Sequence, residues 1–327
     1  MNMLWLSFPA AVFWSFAAIF GLLFAVTTGL AIVGVAKPQK DIRELKLRTK
    51  TWWFIVGALA LGLGSPDVGV YIFFGVVSFM AYKEYISNIP TRQVDGPLIL
   101  LGLVVMVVQY YFAAHFAHHG LFTFFGWVFV PTVLVFVMVF AQQRTDGFLK
   151  ELGVALAGFM ITIYAPSHLA HFFALPAGAN ATGAAGLVLF VVFVTQWNDV
   201  AQFCSGKLLG SRKILPKVSP NKTWEGFIGG IVLSMALAAL LAPLLTPFSF
   251  LVSLFFGAVI AVLGFLGDVF ISAIKRDLGV KDMSTLLPGH GGILDRIDSL
   301  ILVAPVYFHL VYYFVYMKGG FVCSVVS

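Results

Sequence analysis

Apolar residues run through this chain in long blocks, separated by short polar segments, and not in the narrow stripes of a soluble helical protein. A hydrocarbon layer about 30 Å thick takes roughly 20 apolar residues per helix. Blocks of that kind predict spans at 9–35, 52–64, 67–82, 97–114, 121–141, 152–174, 182–198, 224–245, 249–271 and 297–317. The second block is short. It reads as a tilted span or as half of a shallow hairpin turning at Ser65-Pro66-Asp67, so the expectation is about ten spans with nine as the alternative. The fold class expected is an all-α polytopic membrane protein.

The basic residues orient these spans. With the N-terminus outside, the inner segments are 36–51, 83–96, 142–151, 199–223 and 272–296. Of the 20 Lys and Arg residues, every one except Lys318 falls in them. That is the asymmetry of cytoplasmic loops, and it puts both termini on the non-cytoplasmic side of a cell inner membrane. No Lys or Arg precedes the first apolar block, which is also longer than a signal-peptide core, so it is expected to stay as a span.

Composition agrees. The residues are 60% hydrophobic and 10% charged, against about 25% charged in soluble domains. The net charge of +6 resides in the inner loops, and no soluble basic domain is available to dock nucleic acid. Cys204 and Cys323 have neither disulfide-framework nor metal-site spacing. The region 1–180 reads as a transmembrane scaffold. Residues 181–327 read as the catalytic region, because from about Thr195 the loops become long, charged and rich in Gly and Pro.

Two inner loops carry candidate chemistry. In the first, Asp199 is followed by Gly206, and then by Lys217-Val-Ser219-Pro220-Asn221-Lys222-Thr-Trp-Glu-Gly226. Ser219 before Pro220 predicts a helix start, whose free N–H groups beside Lys217 and Lys222 would make an anion site. An ordinary capped helix with topology-setting lysines explains the same residues. In the second loop, Asp268, Ser272 and Lys275 share one helix face at the end of a span, where ionisable residues mark function. Pro288-Gly289-His290-Gly291-Gly292 is a turn that lets backbone N–H groups approach a ligand, and Asp295, Asp298 and Ser299 would share a face if helical. Acids beside lysines and a glycine turn suggest a Mg²⁺–phosphate site, where a salt-bridged loop is the plainer alternative.

From Ser272 to Ser299, SAIKRDLGVKDMSTLLPGHGGILDRIDS resembles the signature of the phosphatidate cytidylyltransferase (CDP-diacylglycerol synthase) family, in Ser272, Lys275, Arg276, Lys281, Asp282, Pro288, His290, Gly291, Gly292, Asp295, Arg296 and Asp298. Gly267-Asp268 and the run 217–226 also look like segments of that family. The resemblance is strong over roughly 195–300, and elsewhere consists only of apolar spans. It implies transfer of CMP from CTP to the phosphate of phosphatidic acid or a related phospholipid, giving CDP-diacylglycerol and pyrophosphate at the cytoplasmic face. It implies Asp268 and Asp295 as ligands of Mg²⁺, with a second cation, K⁺ among the candidates. Asp268, Lys275, Asp295 and Arg296 would be catalytic. Asp199, Lys217, Ser219, Asn221, Lys222, Ser272, Arg276, Lys281, His290, Gly291, Gly292 and Asp298 would bind substrate. Membrane lipids are the other partners, nucleic acid is not one, and a homodimer is allowed. One departure stands out: after Asp199 the family often has small residues and a Tyr, whereas this chain has Val200-Ala201-Gln202-Phe203. That segment is expected to bear on the acceptor lipid.

Weaker signals have plain readings. His115, His118, His119, His168 and His171 are expected to be interfacial or structural on the outer side. Trp5, Trp52, Trp53, Tyr110, Tyr111, Tyr312 and Tyr313 read as interface anchors. The basic stretch 37–50 sets topology. A transporter would need matching broken spans in both halves, and the first half has none. A polyprenol kinase would release CDP instead of pyrophosphate. A catalytically silent paralogue has no evident reason to retain the acids and lysines together.

Overall fold

The computed structural model describes residues 8–39, 41–65, 68–89, 96–116, 148–175 and 182–317, with four isolated positions between the fourth and fifth of these segments. Those four positions apart, the span expected at 121–141 lies outside the described residues, as do His118, His119, Trp5 and Lys318.

The helices are α1 (Ala10–Ala36), α2 (Arg43–Gly64), α3 (Val68–Asn88), α4 (Gly96–Phe116), α5 (Phe148–Ala174), α6 (Gly183–Leu209), α7 (Trp224–Leu245), α8 (Phe250–Asp277), the single turn α9 (Leu294–Ile297) and α10 (Leu300–Val311). α5 contains a π turn at Met160–Tyr164, and α10 runs on into another at Tyr312–Met317. By length and apolar character α1, α5, α6, α7 and α8 can each cross a bilayer, and Leu100–His115 and Leu300–Tyr316 are shorter apolar helices. The chain is therefore a helical membrane protein.

α6 is the central helix. Leu187, Val188, Leu189, Phe190 and Val191 are fully buried, as expected where a helix is apolar all round and enclosed by others. Its far half packs through Phe190 against Phe248 and Tyr307, and the Tyr307 hydroxyl donates to the Leu187 carbonyl at 3.2 Å. Nearer the polar end, buried Asn198 donates to the Ala261 carbonyl of α8 and accepts from Ser234 of α7, both at 3.3 Å. A polar side chain bonded on two sides in an apolar bundle fixes the rotation of its helix. Here that rotation sets where Asp199 and Gln202 point. α1 is the opposite case: only Val12 and Phe16 are buried.

Several expectations change. The short second span is part of a 22-residue helix that starts at Arg43, so Arg43–Lys50 are helical and not loop. Asp41 accepts from the Arg43 backbone N–H at 3.0 Å, and Glu44 pairs with Arg48 one turn on, which together support that first turn. No helix starts at Ser219-Pro220. β1 (Lys213–Leu215) and β2 (Ser219–Thr223) form an antiparallel hairpin, so the fold is not strictly all-α. Pro220 is tolerated on an exposed two-stranded edge, and Thr223 caps α7 by accepting from the Gly226 N–H at 3.1 Å. Tyr110 is no interface anchor: it is buried, and its hydroxyl meets Ser78 at 2.8 Å and the Phe74 carbonyl at 2.9 Å. Of the two readings given for His168 and His171 the structural one holds: both are buried in the bundle, with rings packed on each other and on Phe308.

Candidate functional site

The polar ends of α6 and α8, the hairpin, and the segment 282–299 meet at one end of the bundle. Asp199 stands on α6 and Asp268 on α8. Lys222 of β2 bonds Asp268 Oδ2 at 2.6 Å and donates to Gln202 Oε1 at 3.3 Å. Its ammonium also lies 4.9 Å over the Phe265 ring, a cation–π placement that keeps the charge beside the acid. Ser272, one turn after Asp268, donates to Asp268 Oδ1 at 3.2 Å, as the spacing predicts. Ser299 hydrogen-bonds both oxygens of Asp199, at 3.1 and 3.2 Å, and its N–H donates to Asp298 at 2.8 Å. Asp298 lies in the turn before α10. Burial, then the negative charges of Asp268 and Asp199, push its carboxyl well above the usual carboxylate range.

The glycine turn is built on two buried carboxylates. Asp295 accepts from Lys275 Nζ at 2.9 Å, the Met283 N–H at 2.8 Å and the Gly292 N–H at 2.9 Å. Glu84 of α3 accepts from the Ser284 hydroxyl at 2.7 Å and the N–H groups of Ile293 and Leu294 at 2.9 and 2.8 Å. Both acids are less than 10% exposed. The two glycines exist for these contacts. Gly291 has φ +80°, and a Cβ there would lie 2.7 Å from Asp295 Oδ2, while a Cβ on Gly292 would collide with the Glu84 carboxylate. Of the turn expected to offer backbone donors to a ligand, the Gly292 N–H thus serves a protein carboxylate, as do those of Ile293 and Leu294 just after it. From the first half of the chain, Asn88 donates to the Met283 carbonyl at 2.6 Å and Thr51 to the Pro288 carbonyl at 2.8 Å.

The remaining sequence candidates divide. Asp295 does not share a face with Asp298 and Ser299: the helix breaks after one turn, Asp295 faces the glycine turn, and Ser299 faces α6. Arg296 belongs to the cluster. Its Nε is buried and has no hydrogen-bond partner among the described residues. His290 packs edge-on against Trp52 at 5.8 Å. Burial, then the positive charge of Arg296, holds its imidazole below the usual pKa, and so neutral near pH 7. Lys217, Asn221 and Lys281 are exposed, and Ser219 is half-buried on the hairpin. Arg276 ties the hairpin to α8 by donating to the Val218 carbonyl at 3.3 Å. Glu84, Asn88 and Thr51 were missed by sequence reasoning. The one available signal was an acid at the end of an apolar span, in Ala81-Tyr82-Lys83-Glu84.

Among the described residues, no three His, Cys, Asp or Glu side chains are close enough to enclose a metal ion. Mg²⁺ does not need that, since it commonly takes one or two carboxylates and fills its shell with substrate phosphates and water. An ionised carboxylate offers about four acceptor sites. Asp268 uses two of them and Asp295 three. Each can still serve as a ligand, and Asp199 adds negative potential nearby. The residues fit such a cation.

Comparison with known proteins points the same way. A family model described as the cytidylyltransferase family matches residues 46–314. The chain is 39% identical over 305 residues to uncharacterized protein YnbB of Escherichia coli strain K12, covering 92% of this chain and 99% of that one. A phosphatidate cytidylyltransferase of Pseudomonas aeruginosa is 33% identical over 239 residues, 72% of this chain and 85% of that protein. One from Bacillus subtilis is 46% identical over 128 residues, 37% of this chain and 46% of its own length.

Proposed function

The chain belongs to the cytidylyltransferase family, and we propose on that premise that it transfers CMP from CTP to the phosphate of a phospholipid, phosphatidic acid first among acceptors, at the cytoplasmic face of an inner membrane. The relatives named phosphatidate cytidylyltransferase support this acceptor. The observation that carries the reading is the cluster of Asp199, Asp268, Asp295 and Asp298 set against Lys222, Lys275 and Arg296 at the ends of spanning helices.

In this reading a phosphate oxygen of the lipid attacks the α-phosphorus of CTP. The bond to the β-phosphate breaks and pyrophosphate leaves. The attacking group is already an anion, so no general base is required. The work is to hold two polyanions together and neutralise the charge that shifts to the leaving group. Lys222, Lys275 and Arg296 supply that positive charge. Asp268 and Asp295 would hold Mg²⁺, which would supply positive charge to offset that of the phosphates. Lys217, Arg276 and Lys281 are mostly exposed, and serve to attract the nucleotide to the face. A lipid with two tails must present its headgroup without leaving the bilayer, which is why the acids belong at span ends.

The test uses purified protein in mixed micelles with α-³²P CTP, Mg²⁺ and phosphatidic acid, beside Asp268→Asn. We expect labelled lipid, pyrophosphate release, and at least about a 10³-fold loss in the mutant, the scale of removing a main electrostatic contributor. Release of CDP would identify a kinase. Absence of label in every phospholipid and polyprenyl acceptor, under conditions where a known phosphatidate cytidylyltransferase works, would sink the proposal.

A further inference from the structure

Gln202 stands one turn beyond Asp199 on α6, on the face that meets α7 and Lys222. Its side chain is more than nine-tenths buried. Gly230 of α7 makes room for it, since a Cβ at that position would collide with Gln202 Cγ. The carboxamide has a defined orientation: Oε1 faces the Lys222 ammonium at 3.3 Å, and the reverse arrangement would set donor against donor. Nε2 is therefore turned away from the ammonium. It is buried with no hydrogen-bond partner among the described residues. A buried amide donor left without an acceptor is costly, and this one lies beside the lysine that pairs with Asp268.

We propose that Gln202 is a substrate-binding residue, whose Nε2 donates to a phosphate oxygen drawn in by Lys222. Resting on the function proposed above, the oxygen belongs either to CTP or to the acceptor lipid. The amide thereby does two tasks: its carbonyl keeps Lys222 beside Asp268, and its N–H groups contact substrate. A hydrogen bond to a charged acceptor changes affinity roughly tenfold to a hundredfold.

The two tasks separate in Gln202→Glu, which keeps the shape and gives Lys222 an even better partner but replaces the donor with an anion. Full-length wild type, Gln202→Glu and Gln202→Ala in detergent would be compared for binding of CTP and, separately, of phosphatidic acid in mixed micelles, with KM for each substrate measured alongside. We expect Gln202→Ala to weaken one of the two ligands about tenfold and Gln202→Glu to weaken the same one at least as much. The ligand affected identifies the source of the phosphate. If Gln202→Glu binds both ligands as wild type does, Gln202 only positions Lys222 and the proposal is overturned. It is overturned equally if neither variant changes, or if wild type binds neither ligand. Binding that depends on Gln202 without transfer of label to any lipid would leave this contact standing and remove only the proposed reaction.

Discussion

The two segments that bring charge to the site are held in opposite ways. The 282–294 segment rests on the buried anchors Glu84, Asp295 and Thr51 and on half-buried Asn88. The 211–223 hairpin is held at the surface, where Glu225 accepts from the Ser211 hydroxyl at 2.6 Å and the Arg212 N–H at 3.3 Å, and Arg276 donates to Val218. Its deep contacts come at its end, where Lys222 meets Asp268 and buried Thr223 caps α7. Bonds sealed from water are expensive to break, and surface bonds exchange with solvent. One wall of the site is therefore rigid, and the other is free to adjust around its lysine.

The largest effect should come from breaking the rigid wall. Glu84→Ala strands two backbone N–H groups, that of Leu294 buried, and a hydroxyl, at a cost of about 3–5 kcal/mol. Cytidylyl transfer should collapse, and heat inactivation should move to distinctly lower temperature. An unchanged inactivation temperature would show that the turn does not depend on α3. Lys222→Met comes next and should split the two properties, lowering kcat by about 10²-fold while thermal inactivation stays near wild type. A parallel loss of stability would place the hairpin among the rigid parts. Thr51→Val removes one neutral hydrogen bond to the Pro288 carbonyl, worth about 1 kcal/mol. A several-fold loss of activity is expected, and no change would mean that α2 does not steady the turn. The smallest effect belongs to Glu225→Gln, where neither melting nor kcat should change measurably. A marked drop in either would show that the surface ties of the hairpin matter more than their exposure suggests.

Local chemistry was legible in the sequence, and long-range partnership was not. Asp268 and Ser272 are one helical turn apart, and their contact follows from spacing alone. The clustering of acids and lysines near the span ends could likewise be read from charge placement. Glu84 could not, because its partners lie 200, 209 and 210 residues away. Nor could the fate of the two residues after the glycine turn, Ile293 and Leu294, whose N–H groups look free until Glu84 arrives from α3. Ser219-Pro220 misled for a related reason. It satisfies the local rule for a helix start, but pairing with β1 prevails and the cap passes to Thr223. The plain reading of Tyr110 failed because a polar ring near a span end can turn inward once the bundle supplies it with partners.

The lengths of α6 and α8 set a depth. Both helices approach the site from the far side of the bundle. Asp199 stands roughly 16 residues into α6 and Asp268 roughly 18 into α8, or about 24 and 27 Å at 1.5 Å per residue. A hydrocarbon layer is about 30 Å across. If both helices begin at the far boundary, their acids stop just short of the near one, and the helices carry on past it for two to three turns. The phosphate of a membrane lipid sits at that level without being lifted, whereas a water-soluble nucleotide has to sink a few ångströms below the headgroups to meet it. Approach from the aqueous side would then be the more demanding half of each encounter, and exposed Lys217, Arg276 and Lys281 would favour it by drawing the nucleotide toward that depth.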